Sequence, residues 1–278
     1  MKPVPLLIAV GLFAALPPAR AVEPLTLLAI GDTGDCAQDG ARLVGAAMRE
    51  LPDWRQAWLI EAGDLAYPQA TRARLAECHE PHFAAFPHRL AVPGNHDLVD
   101  GSESGFRAFF PAVPRAVRLN ETWTVLLLDS NLRAASARRQ LAWLDDQVRQ
   151  RGKRCLVAVW HHPRWSAGWH GDDEHQGELW RRLAGVATLT VHGHDHHFEA
   201  VPPLDADGHA DAAGTRSFVV GNGGAALYPA VRNRHASEVV SGHWGFLRID
   251  IEGRHYTWRE VGIDGNTLVS GDGDCRQP

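Results

Sequence analysis

The chain's pattern predicts an α/β fold, and three observations carry that expectation. Short apolar runs alternate with helix-like stretches. Five of the runs each end in a compact polar cluster of Asp, Asn or His. From Arg216 to Ile263 the pattern changes to strand-like segments with no helix between them.

The five runs are Leu25–Ile30, Ala57–Ala62, Arg89–Val92, Leu156–Trp160 and Ala187–Val191. Continuous apolar runs of this length read as strands buried on both faces. Their ends are Gly31-Asp32-Thr33-Gly34, Gly63-Asp64, Pro93-Gly94-Asn95-His96-Asp97, His161-His162-Pro163 and His192-Gly193-His194-Asp195-His196. Between them Gly40–Leu51, part of Arg72–Phe86, Ser136–Arg151 and His175–Ala184 read as helices. Trp123–Ser130 adds a strand with no chemistry at its end. Ser217–Val220, Gly245–Ile251 and Arg254–Val261 read as mostly antiparallel strands, with Glu252-Gly253 as a hairpin turn and Pro202–Thr215 as a surface loop. Ligands of α/β sheets collect at the carboxyl ends of strands, so the five clusters can converge on one site.

A length of 278 residues suffices for one substantial core. The formal net charge of −5, with no basic run, argues against a nucleic-acid scaffold as partner. Sixteen histidines supply candidate metal ligands. Met1-Lys2, the apolar run Val4–Leu16 and Ala19-Arg20-Ala21 read as a secretory signal cleaved after Ala21, too short for a membrane anchor. The expected mature chain is a single domain, 22–278, periplasmic or secreted and without membrane attachment. Four cysteines in an exported chain favour disulfides, and the absence of C-x-x-C argues against a thiolate zinc site. Of three possible pairings, Cys36–Cys78 with Cys155–Cys275 is preferred.

Taken singly, each cluster reads as a turn. Together they offer oxygen and imidazole donors for two metal ions, a set suited to iron, zinc or manganese. The ordered set GDTG, GDLAY, GNHD, HHP and GHDH resembles the calcineurin-like metallophosphoesterase superfamily, over roughly Leu27 to Gly224. The resemblance implies a four-layer α/β/β/α sandwich of two mixed β-sheets flanked by helices. Many members read D-x-H at the first strand, whereas position 34 here is glycine. Tyr67, three residues after Asp64, stands where purple acid phosphatases place an iron-binding tyrosine. His161 to Ser166 followed by His170-Gly171, and the segment Phe218 to Gly223, are similar to the small tartrate-resistant acid phosphatases.

By that resemblance Fe(III) takes Asp32, Asp64, Tyr67 and His194. A second ion, Fe(II), Zn or Mn, takes Asp64 as a bridge with Asn95, His161 and His192. His161 is chosen because the ligand in relatives stands two residues before the proline; His162 is the alternative register. The implied reaction is phosphomonoester hydrolysis by in-line attack of a metal-bound hydroxide on a small phosphorylated substrate. His96 acts as general acid, Asp97 orients it, and His170 contacts the phosphate. His175, His196, His197, Asp195, Arg164 and His243 carry no assigned role. The alternatives are a phosphodiesterase of the same fold and a non-catalytic metal binder. A serine hydrolase finds no G-x-S-x-G.

Overall fold

The computed structural model describes residues 24–276, so the expected signal segment lies outside the described residues. In chain order the first elements are β1 (Leu25–Ile30), α1 (Gly40–Arg49), β2 (Trp58–Glu61), α2 (Arg72–Cys78), α3 (Glu80–Phe83) and β3 (His88–Ala91). Next come α4 (Ser104–Arg107), β4 (Arg115–Arg118), β5 (Trp123–Leu127), α5 (Ala134–Gln150), β6 (Cys155–Val159), α6 (Gly177–Leu183) and β7 (Leu189–His192). The remainder is all strand: β8 (Phe198–Leu204), β9 (Thr215–Val220), β10 (Glu238–Val240), β11 (Gly245–Glu252), β12 (His255–Gly262) and β13 (Thr267–Asp274).

Two mixed sheets result. Sheet one runs β13-β12-β11-β1-β2-β3, and sheet two runs β10-β8-β9-β7-β6-β5-β4. Strand alternation sorts the apolar residues into layers. Leu27 and Ala29 of β1 join Val157 and Val159 of β6 in the core between the sheets. Leu28 and Ile30 point the other way, onto Val44 and Met48 of α1. Leu156, Ala158 and Trp160 of β6 pack with Leu144 of α5 and Trp180 of α6. This is the four-layer α/β/β/α sandwich, and the unbroken apolar runs follow from strands covered on both faces. Helix α1 buries Ala41, Val44, Gly45 and Met48, the spacing of one helical face.

Several elements differ from the sequence expectation, and α4, β4 and β10 form where none was expected. Strand β8 enters the expected Pro202–Thr215 loop, because the ladder with β9 shifts register between Val201 and Leu204, at Pro202-Pro203. Strand β9 is antiparallel to β8 but parallel to β7. Strand β13 lies beyond the last segment assigned from sequence; a Cβ at Gly271 or Gly273 would collide with the Trp258 or Tyr256 ring. The glycines are what let those rings lie across the edge strand. The β11–β12 hairpin pairs Glu252 with His255, so its turn is Gly253-Arg254, one residue later than expected.

The disulfides are Cys36–Cys78 and Cys155–Cys275, the preferred pairing. The first ties the loop after Asp32 to the end of α2. The second joins the start of β6 to the segment after β13, at the end of the sandwich remote from the polar clusters.

Candidate metal centre

The polar clusters meet where the carboxyl ends of both sheets come together. Backbone hydrogen bonds stitch this seam: Gly31 N donates to Val220 O at 2.8 Å, Asp32 N to Gly63 O at 2.9 Å and Gly193 N to His161 O at 3.0 Å. Asp32, Asp64 and His194 adopt φ of 55°, 53° and 76°, the left-handed region. Each such non-glycine residue costs about 1–3 kcal/mol. The seam bonds hold it, and the reversal aims each side chain back into the seam.

Sheet one supplies oxygen. The Tyr67 hydroxyl donates to Asp32 Oδ1 at 2.9 Å and lies 3.3 Å from Asp64 Oδ2. Both carboxylates are buried. Burial and these two charges hold the phenol well above its ordinary pKa, so it keeps its proton until a cation offsets them. Gly34 belongs to the same construction. Its carbonyl accepts from Tyr67 N at 3.0 Å, and a Cβ there would stand 2.1 Å from Leu65 O. Any side chain at position 34 would therefore collide with the Leu65–Ala66 backbone.

Sheet two supplies nitrogen. His161 Nδ1 faces Ala62 O at 2.8 Å, which leaves Nε2 3.3 Å from Asp64 Oδ2 and 3.2 Å from Asn95 Oδ1. A backbone carbonyl fixing one ring nitrogen while the other faces a ligand position is the usual support of a metal-binding histidine. Burial lowers the His161 pKa, but the carboxylates of Asp64 and Asp32 prevail and push it up to about 10. Without a cation, this imidazolium is the countercharge of the site. Ligand atoms of Asp32, Asp64 and His161 lie within 4.8 Å of one another, as do those of His161, His162 and His194. The donor set therefore fits two hard or borderline cations.

The histidine register differs from the sequence reading. His192 Nδ1 faces Trp160 O at 2.9 Å, its ring lies against the Trp160 indole, and its Nε2 is buried without a partner. None of its contacts reaches Asp32, Asp64 or Asn95. His196, given no role from sequence, lies inside the cluster: Nδ1 faces Ala226 O at 2.6 Å, and Nε2 stands 3.1 Å from the Tyr67 oxygen and 3.3 Å from Asp32 Oδ1. His194 N donates to Asp32 Oδ2 at 2.8 Å, and its ring lies 5.2 Å from that of His161. Alternation along β7 explains the difference. His192 is still in the strand and faces the α5–α6 layer, whereas His194 and His196 follow the reversal after it.

The other expected residues are placed as follows. His96 Nδ1 faces Pro68 O at 2.7 Å, and Nε2 is 4.0 Å from Asp64 Oδ2. Asp97 does not touch His96 through its side chain. Its carboxylate accepts from Asp64 N and Gly94 N at 2.8 Å and from Leu65 N at 3.1 Å, so it clamps the loops that carry Asp64 and Asn95. The exposed His170 ring lies 4.1 Å from that of His194. Its loop is held by Asp195, which accepts from His170 N at 2.9 Å and Ser166 Oγ at 2.5 Å. The end of β5 is also not idle: Ser130 Oγ lies 2.7 Å from His162 Nδ1, and Asn131 donates to Pro93 O and Gly94 O. Those residues carried no sequence signal, because Ser and Asn after a strand are ordinary turn formers.

Behind Asp32 lies a buried chain of contacts. Thr33 Oγ1 is 2.8 Å from His79 Nδ1, and His79 Nε2 is 2.6 Å from Glu61 Oε2, which Arg89 also holds at 2.8 Å. His79 follows Cys78, so the Cys36–Cys78 bridge and this chain brace the same loop.

A two-sheet sandwich with these donors at its seam defines the class of the chain as a metallophosphoesterase. Residues 25–198 match the family model of the calcineurin-like phosphoesterases, and the chain belongs to that family. The family binds two metal ions, and membership in it supports a hydrolase. Among solved structures, the chain is similar to purple acid phosphatase PPD1 from yellow lupin (Lupinus luteus) seeds: TM-score 0.72, 16% identity, over 91% of this chain and 54% of that one. It thus spans about half of the lupin protein. It is also similar to GAP50, described as the anchor in the inner membrane complex of Plasmodium, with TM-score 0.75 and 14% identity over 91% of this chain and 90% of that one. PhoD follows at TM-score 0.60 and 10% identity, over 93% and 70%. No curated protein matches the chain in sequence. No helix among the described residues is long and apolar enough to cross a membrane.

Proposed function

We propose that this protein is an exported binuclear phosphatase of the purple acid phosphatase type, hydrolysing phosphomonoesters. The observation that carries the reading is the Tyr67 oxygen, which lies within hydrogen-bond distance of Asp32, Asp64 and His196 together. These four would hold Fe(III), a hard acid matched to phenolate and carboxylate. Asp64, as the bridge, with Asn95, His161 and His194 would hold Fe(II), Zn or Mn. The His194 and His196 assignment replaces the His192 and His194 set expected from sequence. When bound, two such ions supply a nucleophilic water at neutral or acid pH and positive charge for the phosphoryl oxygens.

The chain's own groups do the rest. His96 keeps its Nδ1 proton on the Pro68 carbonyl and turns Nε2 toward Asp64, where an Nε2 proton can pass to the departing alkoxide. Asp97 holds the backbone of Gly94, Asp64 and Leu65 in place during that transfer. His170, placed by Asp195, donates to the phosphate from the open side. Two disulfides fit an oxidising, extracytoplasmic location.

The test is turnover of p-nitrophenyl phosphate against bis-p-nitrophenyl phosphate by metal-replete protein, with its visible spectrum. A monoester preference and a violet tyrosinate-to-iron band support the reading. A diester preference would replace the substrate class with phosphodiesters. Neither turnover nor metal uptake would leave a fold used for anchoring, the role that the GAP50 description gives that protein.

A further inference from the structure

The exposed apolar surface near the candidate metal centre is organised. Among the described residues only four large hydrophobic side chains are strongly exposed: Trp169 at 69%, Val231 at 52%, Ile263 and Leu268. The last two lie at the β12–β13 hairpin. The first two lie on loops that pair with each other at the site, since Val231 N and Arg232 N both donate to Ala167 O, at 2.8 and 3.0 Å. Scattered single exposed hydrophobics need no explanation, but Trp169 is part of a continuous series.

That series is aromatic and begins at the metal cluster. Tyr228 stacks on His196 with centroids 4.1 Å apart and planes 7° apart, and its backbone N donates to His196 O at 3.0 Å. The His170 ring lies 4.1 Å from His194 and 6.3 Å from Tyr228. Trp169 follows at 6.5 Å from Tyr228, with its indole open to solvent. A stacked Tyr228 and a loop pinned by Asp195 give this wall a fixed base. Trp169, its outermost member, is 69% exposed and adjoins His170, whose ring lies against that of His194.

We propose that Trp169 and Tyr228 form the wall that receives the organic group of the substrate, and that the site selects phosphomonoesters of planar aromatic groups. This rests on the phosphatase reading above. The recognised chemistry is a flat π-surface carried by the ester group, bonded directly to the ester oxygen in aryl phosphates and joined through a ribose in nucleoside monophosphates. Stacking of a ring on an indole tolerates many ring types, because it needs a face and no fixed hydrogen-bond pattern. Removing such a platform lowers affinity about tenfold per stacked ring.

The experiment compares kcat/KM for phenyl phosphate, a purine nucleoside 5′-monophosphate and glycerol phosphate in the wild type, Trp169→Ala and Trp169→Phe. It is joined by titration calorimetry of the metal-loaded proteins with phenylphosphonate and methylphosphonate. The aromatic-to-aliphatic ratio is expected to fall about tenfold in Trp169→Ala, as one stacked ring implies, and to survive in Trp169→Phe. A purine preference over phenyl that depends on Trp169 identifies nucleotides as the source; equal values identify simple aryl esters. Hydrolysis of all three with a ratio that ignores position 169 would overturn the wall and leave the phosphatase reading standing. Failure to hydrolyse any of them would sink the phosphatase reading. Phenylphosphonate binding would then still decide the wall, since equal affinity for both phosphonates, or no effect of Trp169→Ala, rejects it.

Discussion

The two sheets arm the same seam in different ways. Sheet one brings oxygen: Asp32 follows β1, Asp64 and Tyr67 follow β2, and Asn95 follows β3. Sheet two brings nitrogen, and two of its three imidazoles come from one stretch, His192 to His197, which holds four histidines. Oxygen donors spread over three strand ends are individually pinned, by left-handed turns at Asp32 and Asp64 and by the Asp97 clamp. The imidazoles are selected by where a strand stops. One donor set is specified locally and the other by tertiary structure.

The largest effect that can break this comparison is at the bridge. Asp64→Ala should abolish both metal sites and lower kcat for p-nitrophenyl phosphate at least about 1,000-fold, because metal-assisted attack is lost as a unit. Retained hydrolysis by a clean Asp64→Ala protein would contradict the bridging role.

The disulfides divide along the same line. In the loop-entropy picture the 120-residue separation of Cys155–Cys275 corresponds to about 5 kcal/mol, and the 42-residue separation of Cys36–Cys78 to about 4 kcal/mol. Replacing either pair with serine should lower the urea midpoint, the first slightly more. Only the Cys36–Cys78 replacement should also weaken metal retention, because it releases the loop after Asp32. Equal metal retention in the two variants would show that the bridge does not brace the oxygen donors.

Two buried glutamates in sheet one respond to pH in opposite directions. Glu260 Oε1 accepts from Asn222 Nδ2, in the loop after β9, at 2.6 Å, while Oε2 has no partner. Burial pushes its pKa from 4.5 up to about 8. The folded state then holds a proton that the unfolded chain releases, so this contribution falls as pH rises from about 4.5 to about 8. Urea titrations should show that Glu260→Gln removes this decline. For Glu61 burial acts upward, but Arg89 and His79 prevail and bring the pKa to about 2. Its contribution is lost as pH falls from about 4.5 to about 2, and Glu61→Gln should flatten that acid limb. The smallest effect is at the rim, where His170→Ala should raise KM about tenfold by removing one charge-assisted phosphate contact.

The difference between the sheets also explains what could be read from the chain alone. Strands covered on both faces leave unbroken apolar runs, so β1, β2, β3, β6 and β7 are legible, and their ends locate the site. Gly34 and Tyr67 are legible as a pair because one lacks a side chain where the other supplies an oxygen. The stretch His192 to His197 is not, because an error of two residues leaves every histidine on a histidine. Only the position at which β7 ends separates His192 from His194 and His196. Asp97 was given the right neighbourhood and the wrong contact, since nothing in GNHD shows that its carboxylate turns back to three amides. Strands β8 and β13 were hidden by prolines at a register shift and by glycines beneath aromatic rings.

The most direct test of this division of labour is the metal content of His192→Asn and His196→Asn, purified side by side from metal-replete cultures. Asparagine keeps a donor near the Nδ1 position and deletes the Nε2 atom in both. His196→Asn should lose one of the two ions together with the tyrosinate band, while His192→Asn should keep both. The reverse pattern, with ions lost from the His192 variant and retained in the His196 variant, would contradict the account.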